Sequence, residues 1–159
     1  MNKIFAAIVL TVITVQSQAT ERLLVDFVVI DENAIQANLT ELAPMGQWVL
    51  IVLDAYTHSS DHLLQLLEDN DLVMANTVVL ELHNRENQYS ALQAAHAKVE
   101  PYAWFTSTTL DAFSGLNIAG TPVVMGLQNT HIIWQRSGVP DDLGKALIHQ
   151  IRQWSVQEG

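Results

Sequence analysis

The sequence predicts an α/β domain in which helices flank a central mixed β-sheet. Residues Trp48 to Leu53 form a continuous hydrophobic run, which is typical of a strand buried on both faces. Around this run, segments with a strand pattern alternate with segments of helical periodicity, as in layered α/β domains. The chain of 159 residues is long enough for one domain with a single core.

The first predicted strand covers the apolar, β-branched run Arg22 to Ile30. The residues that follow, 31–33, offer a cap and an acidic first turn for a short helix that continues to Leu42. Pro44 and Gly46 end this helix, because neither residue type favours a helix interior.

After the central strand, leucines at positions 63, 64, 66 and 67 predict a helix with one apolar face. Its candidate capping residues are Ser59, Ser60 and Asp61. Ala75 to Leu82 then supplies another strand, and residues 88–99 combine good helix formers with apolar positions. Pro101 ends this third helix.

The first 19 residues have the pattern of a signal peptide. Lys3 gives a positive start, Ile4 to Val15 is an apolar run, and Ser17-Gln18-Ala19 places small residues where signal peptidase cleaves. A retained membrane anchor is the alternative, but the run is shorter than the about 20 residues that cross a bilayer. We therefore expect a mature domain of residues 20–159 in the bacterial periplasm, with secretion as the lesser alternative and no stable membrane insertion.

The charge balance excludes several classes of partner. The chain has 17 acidic and 7 basic residues and a net charge of -10, so neither nucleic acid nor an anionic membrane finds a basic surface on it. The acidity either keeps the protein soluble or attracts a basic partner. The chain also contains no cysteine, which excludes disulfides, a lipoprotein anchor and thiol chemistry.

The strongest resemblance to a known family lies in residues 116–138. Gly120-Thr121-Pro122 precedes the apolar run Val123 to Leu127, a turn leads to a second strand, His131 to Arg136, and a glycine precedes a final helix. This order and spacing resemble the closing half of thioredoxin-like proteins. The resemblance implies a thioredoxin-like fold with a cis proline at 122, in which residues 20–46 form either the standard first strand–helix unit or an added one. A trans-proline turn into an edge strand is the alternative.

The stretch Val49 to His62 resembles the thioredoxin strand and redox helix, but other residues stand where the family has its two cysteines. In one alignment they are His58 and Asp61, and in the other they are Thr57 and Ser60. Disulfide exchange needs a thiolate nucleophile, so the family's usual activity is excluded. The resemblance still implies a groove between the helix start and the proline loop, which in relatives holds an extended polypeptide.

We therefore predict a non-redox binding or scaffold protein without a cofactor. The candidate partner-binding residues are Tyr56, Thr57, His58, Ser59, Ser60, Asp61, Trp104, Thr121 and Pro122. Tyr56 and Trp104 are included as aromatic anchors, whereas Phe105, Phe113 and Trp134 are expected in the core. The expected partner is an envelope or periplasmic protein, by analogy with accessory proteins of conjugation and type IV secretion systems. Strand addition at the start of the mature chain is an alternative surface, and the oligomeric state is left open.

Two enzymatic alternatives involve the same helix. His58 and His62 lie four residues apart and, with Asp61 or Asp54, offer ligands for a divalent metal in an unconventional enzyme. An ordinary polar helix start explains the same residues. A serine nucleophile beside His58 would lack the Gly-x-Ser-x-Gly elbow. The remaining histidines are expected on the surface and show no metal-ligand spacing: His83, His96, His131 and His149.

Overall fold

The computed structural model describes residues 21–54, 56–72, 76–83, 103–138 and 144–156. Within these ranges the chain forms an eight-stranded sheet with helices packed against it. The strands are β1 (Arg22–Leu23), β2 (Val28–Asp31), β3 (Gln36–Asn38), β4 (Gln47–Asp54), β5 (Thr77–His83), β6 (Ala103–Thr108), β7 (Val123–Gln128) and β8 (His131–Ser137). The helices are α1 (Leu39–Leu42), α2 (His58–Asp69), α3 (Thr109–Leu116) and α4 (Gly144–Val156).

The strands lie in the order β1-β8-β7-β4-β5-β6-β2-β3. Strand β5 is parallel to both β4 and β6, and the other neighbouring pairs are antiparallel. The sheet is therefore mixed and flanked by helices, which confirms the predicted α/β class. Within the described ranges, no helix is long and apolar enough to cross a membrane.

Strand β4 is the centre of the core, and its residues Trp48 to Leu53 are all buried. Every second residue from Val49 onward belongs to a hydrophobic cluster that includes residues of α2 and α4. The residues between them, beginning with Trp48, belong to a second cluster that includes residues of α3. The strand thus has core on both faces, which explains why its sequence is hydrophobic without alternation.

The single strand predicted over residues 22–30 is wrong. The chain leaves the sheet between β1 and β2, where Leu24 is buried and Phe27 packs against the cluster that includes α3 residues. Strand β1 pairs with β8 at one edge of the sheet, whereas β2 pairs with β6 and β3 at the other side. An apolar run carries no information about which neighbour each of its residues will meet, so this division is not visible in the sequence.

The helix predicted from residue 31 to Leu42 is wrong in its first half. The Asp31 Oδ1 atom accepts hydrogen bonds from the N–H groups of Asn33 (2.9 Å) and Ile35 (2.8 Å), and the Ile35 carbonyl accepts one from the Asp31 N–H (3.0 Å). These bonds close a turn between β2 and β3. Aspartate favours such turns because its short side chain reaches nearby backbone groups. Only the last part of the predicted helix remains, as α1.

The other predicted elements agree with the structure where it describes them. Strands β5, β7 and β8 occupy the predicted runs, and the predicted final helix is α4. The sequence patterns did not predict β6 and α3, because residues 103–116 mix aromatic and polar positions without a clear period. The predicted helix at 88–99 and the predicted signal peptide lie outside the described residues.

Candidate partner-binding site

The start of α2 and the loop before β7 lie at the same end of the sheet. Val52 of β4 pairs with Val123 of the antiparallel strand β7. The paired register ends at Val52 and Val123, so the carboxyl end of β4 and the loop with Thr121 just before β7 lie at the same end of the sheet. Helix α2 begins at His58, shortly after β4 ends. The structure therefore brings together the two segments that the sequence analysis connected only through resemblance.

The connection between β4 and α2 is held by its own polar groups. The Asp54 carbonyl accepts hydrogen bonds from the Thr57 N–H (3.2 Å) and from the Thr57 hydroxyl (3.2 Å). The Asp54 side chain accepts one from the Tyr56 N–H (2.9 Å). These bonds fix the chain as it leaves the strand, so the position at which α2 begins is set before any partner is present.

Ser60 points back into this connection and is completely buried. Its Oγ atom accepts a hydrogen bond from the Asp54 N–H (3.0 Å) and lies 2.7 Å from Thr57 Oγ1. Because the Thr57 hydroxyl donates its proton to Asp54, Ser60 donates to Thr57. Thr57 occupies the N-cap position of α2 without a side-chain capping bond, which corrects the prediction that Ser59, Ser60 or Asp61 caps the helix. Thr57 and Ser60 therefore support the site from within.

The outer layer of the same helix start faces solvent. Tyr56 is 64% exposed, and His58, Asp61 and His62 are also exposed, with Ser59 half-buried. The rings of His58 and His62 are stacked, with centroids 6.4 Å apart and planes inclined by 15°. The alignment that matches His58 and Asp61 to the family's cysteines thus places both residues on the surface.

The Thr121–Pro122 peptide bond is cis, as the resemblance implied. Pro122 is buried, and its carbonyl accepts a hydrogen bond from the Gly138 N–H (2.8 Å). Thr121 is half-buried and precedes the first paired residue of β7. In the described part of the chain, neither the N–H nor the C=O of Thr121 makes a hydrogen bond. The loop therefore presents a main-chain donor and acceptor beside the start of α2.

Trp104 does not contribute to this surface. It is only 7% exposed and belongs to the cluster formed with α2 and α4, so its predicted role as an anchor is replaced by a packing role. Its position on β6, a strand that the sequence patterns did not predict, is the reason for the error. Trp134, in contrast, is buried as expected.

The expectation that His83 lies on the surface is wrong. His83 is 5% exposed, and its Nε2 atom lies 3.5 Å from Oε1 of Glu81, which is fully buried. Both residues follow Val79 at alternate positions of β5, so they share one face of that strand. The clue in the sequence was the alternation of side chains along a buried strand, which places His83 on the same face as Val79.

The enzymatic alternatives gain no support from this geometry. Among the described residues, no group of three or more His, Cys, Asp or Glu side chains is placed to hold a metal ion. The Ser60 hydroxyl is engaged by Asp54 and Thr57 within the buried connection, and it is not directed toward an incoming substrate.

No protein-family model matches the chain, and no curated protein matches it. Solved structures do match. A protein named as the thiol:disulfide interchange protein DsbE from Chlorobium tepidum has a TM-score of 0.61 at 12% identity, with 82% of this chain and 94% of that chain covered. A protein named as a protein disulfide isomerase from Bacteroides thetaiotaomicron has a TM-score of 0.57 at 15% identity, with 84% and 87% covered.

An uncharacterized thioredoxin-like protein from Porphyromonas gingivalis also has a TM-score of 0.57, at 11% identity, and 83% of this chain and 91% of that chain are covered. At sequence identities this low, the matches show similarity of the backbone fold alone. This similarity covers most of each chain. The protein therefore has the thioredoxin-like fold, and it has this fold without a single cysteine.

Proposed function

We propose that this protein is a non-redox binding protein of the bacterial periplasm that holds an extended segment of an envelope protein. The binding site is the surface formed by Tyr56, His58, Ser59, Asp61 and Thr121, which we call the α2–Pro122 surface. The observation that carries the proposal is the main chain of Thr121, which has no hydrogen-bond partner among the described residues and lies at the end of the sheet where α2 begins.

Unpaired main-chain groups next to a sheet favour the addition of an extended peptide. Most backbone N–H and C=O groups in folded proteins are paired, and a peptide in extended conformation pairs with a free donor and acceptor by strand addition. Thr121 offers one of each at the position where β7 is about to begin. Such contacts supply affinity with little dependence on the sequence of the bound segment.

Tyr56 gives this surface an aromatic anchor. Its side chain is 64% exposed, although its backbone N–H is fixed by Asp54. An exposed tyrosine on a rigid backbone contributes contact area at a small cost in conformational entropy, and tyrosine is enriched among the residues that dominate binding at interfaces. Tyr56 therefore selects the side chain of the segment that pairs with Thr121.

The absence of cysteine excludes thiol–disulfide exchange and supports binding in its place. A thiol–disulfide exchange step needs a thiolate, and the chain has none. In the described part of the connection between β4 and α2, Asp54 nevertheless makes internal hydrogen bonds with Tyr56, Thr57 and Ser60. This supports a surface that keeps its shape for recognition after the chemistry has gone.

The compartment and the assembly are part of the proposal. The apolar run at residues 4–15, with small residues before Thr20, supports export. An accessory role in an envelope assembly such as a conjugation or type IV secretion system rests on analogy of fold. The identity of the bound protein tests this role.

Photo-crosslinking in the native host tests compartment, surface and partner together. A photoreactive amino acid is placed at position 56 or 121 of the full chain, and the matched control is position 45, because Met45 is 87% exposed and precedes the opposite end of β4. We expect positions 56 and 121 to trap the same envelope protein in the periplasmic fraction and position 45 to trap none of it. Equal trapping at all three positions, or none at 56 and 121 with normal expression, would contradict the proposal.

A further inference from the structure

The stacked histidines of α2 have the geometry of a metal-binding pair. His58 and His62 lie one turn apart on the same helix face, with ring centroids separated by 6.4 Å and planes inclined by 15°. Two histidines at this spacing on one helix face are the zinc ligands of the H-E-x-x-H motif.

Both rings are available for a ligand. His58 and His62 are exposed, and in the described part of the chain neither side chain makes a hydrogen bond. Ser59 occupies the position at which H-E-x-x-H has its glutamate, so the pair lacks the general base of a metalloprotease. This difference favours a metal ion that connects the protein to a partner over one that catalyses hydrolysis.

The pair is incomplete as a metal site. The described residues contain no third His, Cys, Asp or Glu positioned with the two histidines, whereas zinc in proteins takes four ligands. Two coordination positions are therefore left to water or to a second molecule. His58 belongs to the α2–Pro122 surface and His62 stacks on it, so the pair borders the path proposed for a bound segment, and the net charge of -10 favours cations near it.

We propose that His58 and His62 bind a divalent transition-metal ion, Zn²⁺, Ni²⁺ or Cu²⁺, whose open coordination positions are filled by a His or carboxylate side chain of the bound envelope protein. The metal thereby connects the two proteins. The second half of this inference rests on the proposed function, whereas the two-histidine site itself stands independently of it.

Titration of the mature chain with Ni²⁺ tests the metal site, and the protein must carry no histidine tag. We expect saturable binding of one ion per chain near neutral pH, and weaker binding in acid because imidazole binds metal only when it is neutral. His62→Ala should weaken binding by at least about tenfold, since even the outer partners of metal ligands cost about 10–100-fold when removed. His149→Ala, an exposed histidine on α4, is the matched control and should have no effect. Equal binding by His62→Ala and the native chain overturns the site.

Crosslinking with and without metal tests the bridge. With the probe at position 121, EDTA should reduce the yield of the trapped envelope protein several-fold and added Zn²⁺ should restore it, while His62→Ala should reproduce the EDTA result. A yield that is unchanged by EDTA and by His62→Ala overturns the bridge and leaves the proposed function standing. A complete absence of trapped protein with and without Zn²⁺ contradicts the proposed function, and the Ni²⁺ titration then decides the metal site alone.

Discussion

The two ends of β4 use their polar groups in different ways. At the amino end, the Gly46 N–H donates to Asn129 Oδ1 (2.8 Å), the Asn129 N–H donates to the Gly46 carbonyl (2.7 Å), and the Trp48 indole N–H donates to the Asn129 carbonyl (2.6 Å). At the carboxyl end, Ser60 is hydrogen-bonded within the connection to α2, but the main chain of Thr121 has no hydrogen-bond partner among the described residues and Tyr56 is exposed.

The amino end of β4 is therefore expected to contribute mainly to stability, and the carboxyl end mainly to binding. Polar groups that are paired within the protein contribute to stability and are costly to disturb. A side chain that is mostly exposed costs little when changed, and main-chain groups without a partner among the described residues can pair with an added strand. Substitutions at the two ends of β4 should therefore separate effects on the free energy of unfolding from effects on binding.

The largest expected effect on stability is at the amino end of β4. Trp48 is fully buried and its indole N–H is bonded to Asn129, so Trp48→Ala should lower the free energy of unfolding by about 3–5 kcal/mol, as for other large residues in cores. Urea unfolding followed by circular dichroism measures this. Met45→Ala, at an 87% exposed position, is the control and should stay within about 0.5 kcal/mol. If Trp48→Ala lowered the free energy of unfolding by less than about 0.5 kcal/mol, the amino end of β4 would not have the stabilising role assigned to it.

A smaller effect is expected where β7 passes Trp134. Gly126 pairs with Val49 near the amino end of β4, and a Cβ atom at Gly126 would overlap with the Trp134 indole ring. Gly126→Ala should therefore force the indole out of place and lower the free energy of unfolding by about 3 kcal/mol, the upper part of the usual range for overpacking. The matched control is Gly120→Ala, since a Cβ there has no atom within 4 Å. Equal thermal midpoints for both variants would show that this packing is not rigid.

Ser60→Ala tests the carboxyl end of β4, because it removes a hydroxyl from the hydrogen-bonded connection to α2. Loss of the hydroxyl leaves the Asp54 N–H without its acceptor, and we expect a decrease of about 1–2 kcal/mol in the free energy of unfolding. Ser59→Ala, one residue away at a half-buried position, should change it by less than about 0.5 kcal/mol. If the two serine variants unfold at the same urea concentration, the connection after β4 does not depend on Ser60.

The smallest effect on stability, with the clearest effect on binding, is expected at Tyr56. Because this side chain is 64% exposed, Tyr56→Ala should leave the free energy of unfolding within about 0.5 kcal/mol. Partner binding should weaken about tenfold or more, as for aromatic anchors at interfaces. The yield of protein trapped by a probe at position 121 measures this. An unchanged yield would remove Tyr56 from the α2–Pro122 surface while leaving Thr121 in place.

Much of the fold is readable from local patterns. The run Trp48 to Leu53 identifies β4 because a strand with core on both faces is hydrophobic at every position. Residues 116–138 identify β7 and β8 because a proline, two apolar runs and a turn between them occur in a fixed order. Residues 22–42 mislead, since their apolar and capping patterns fit both a helix and the turn that Asp31 closes.

The candidate site is only partly readable in the same way. The sequence points to the segment after β4 and to the proline loop, but it does not reveal which side chains face outward. In the segment after β4, Ser60 is buried whereas Tyr56 is exposed, and Trp104 on β6 is buried as well; no local pattern distinguishes these positions. Whether each side chain is buried depends on its contacts with Asp54 and with the core, and local sequence patterns do not reveal these contacts.

The sequence by itself determined that the chain forms an α/β domain with a central hydrophobic strand and that thiol chemistry is absent, because composition and short-range periodicity are properties of the chain alone. The tertiary structure decided that residues 22–31 divide between the two sides of the sheet, that His83 and Trp104 are buried, and that the carboxyl end of β4 and the loop before β7 lie at the same end of the sheet. Pairing between strands and burial are set by residues far apart in the chain, and only the folded molecule brings them together.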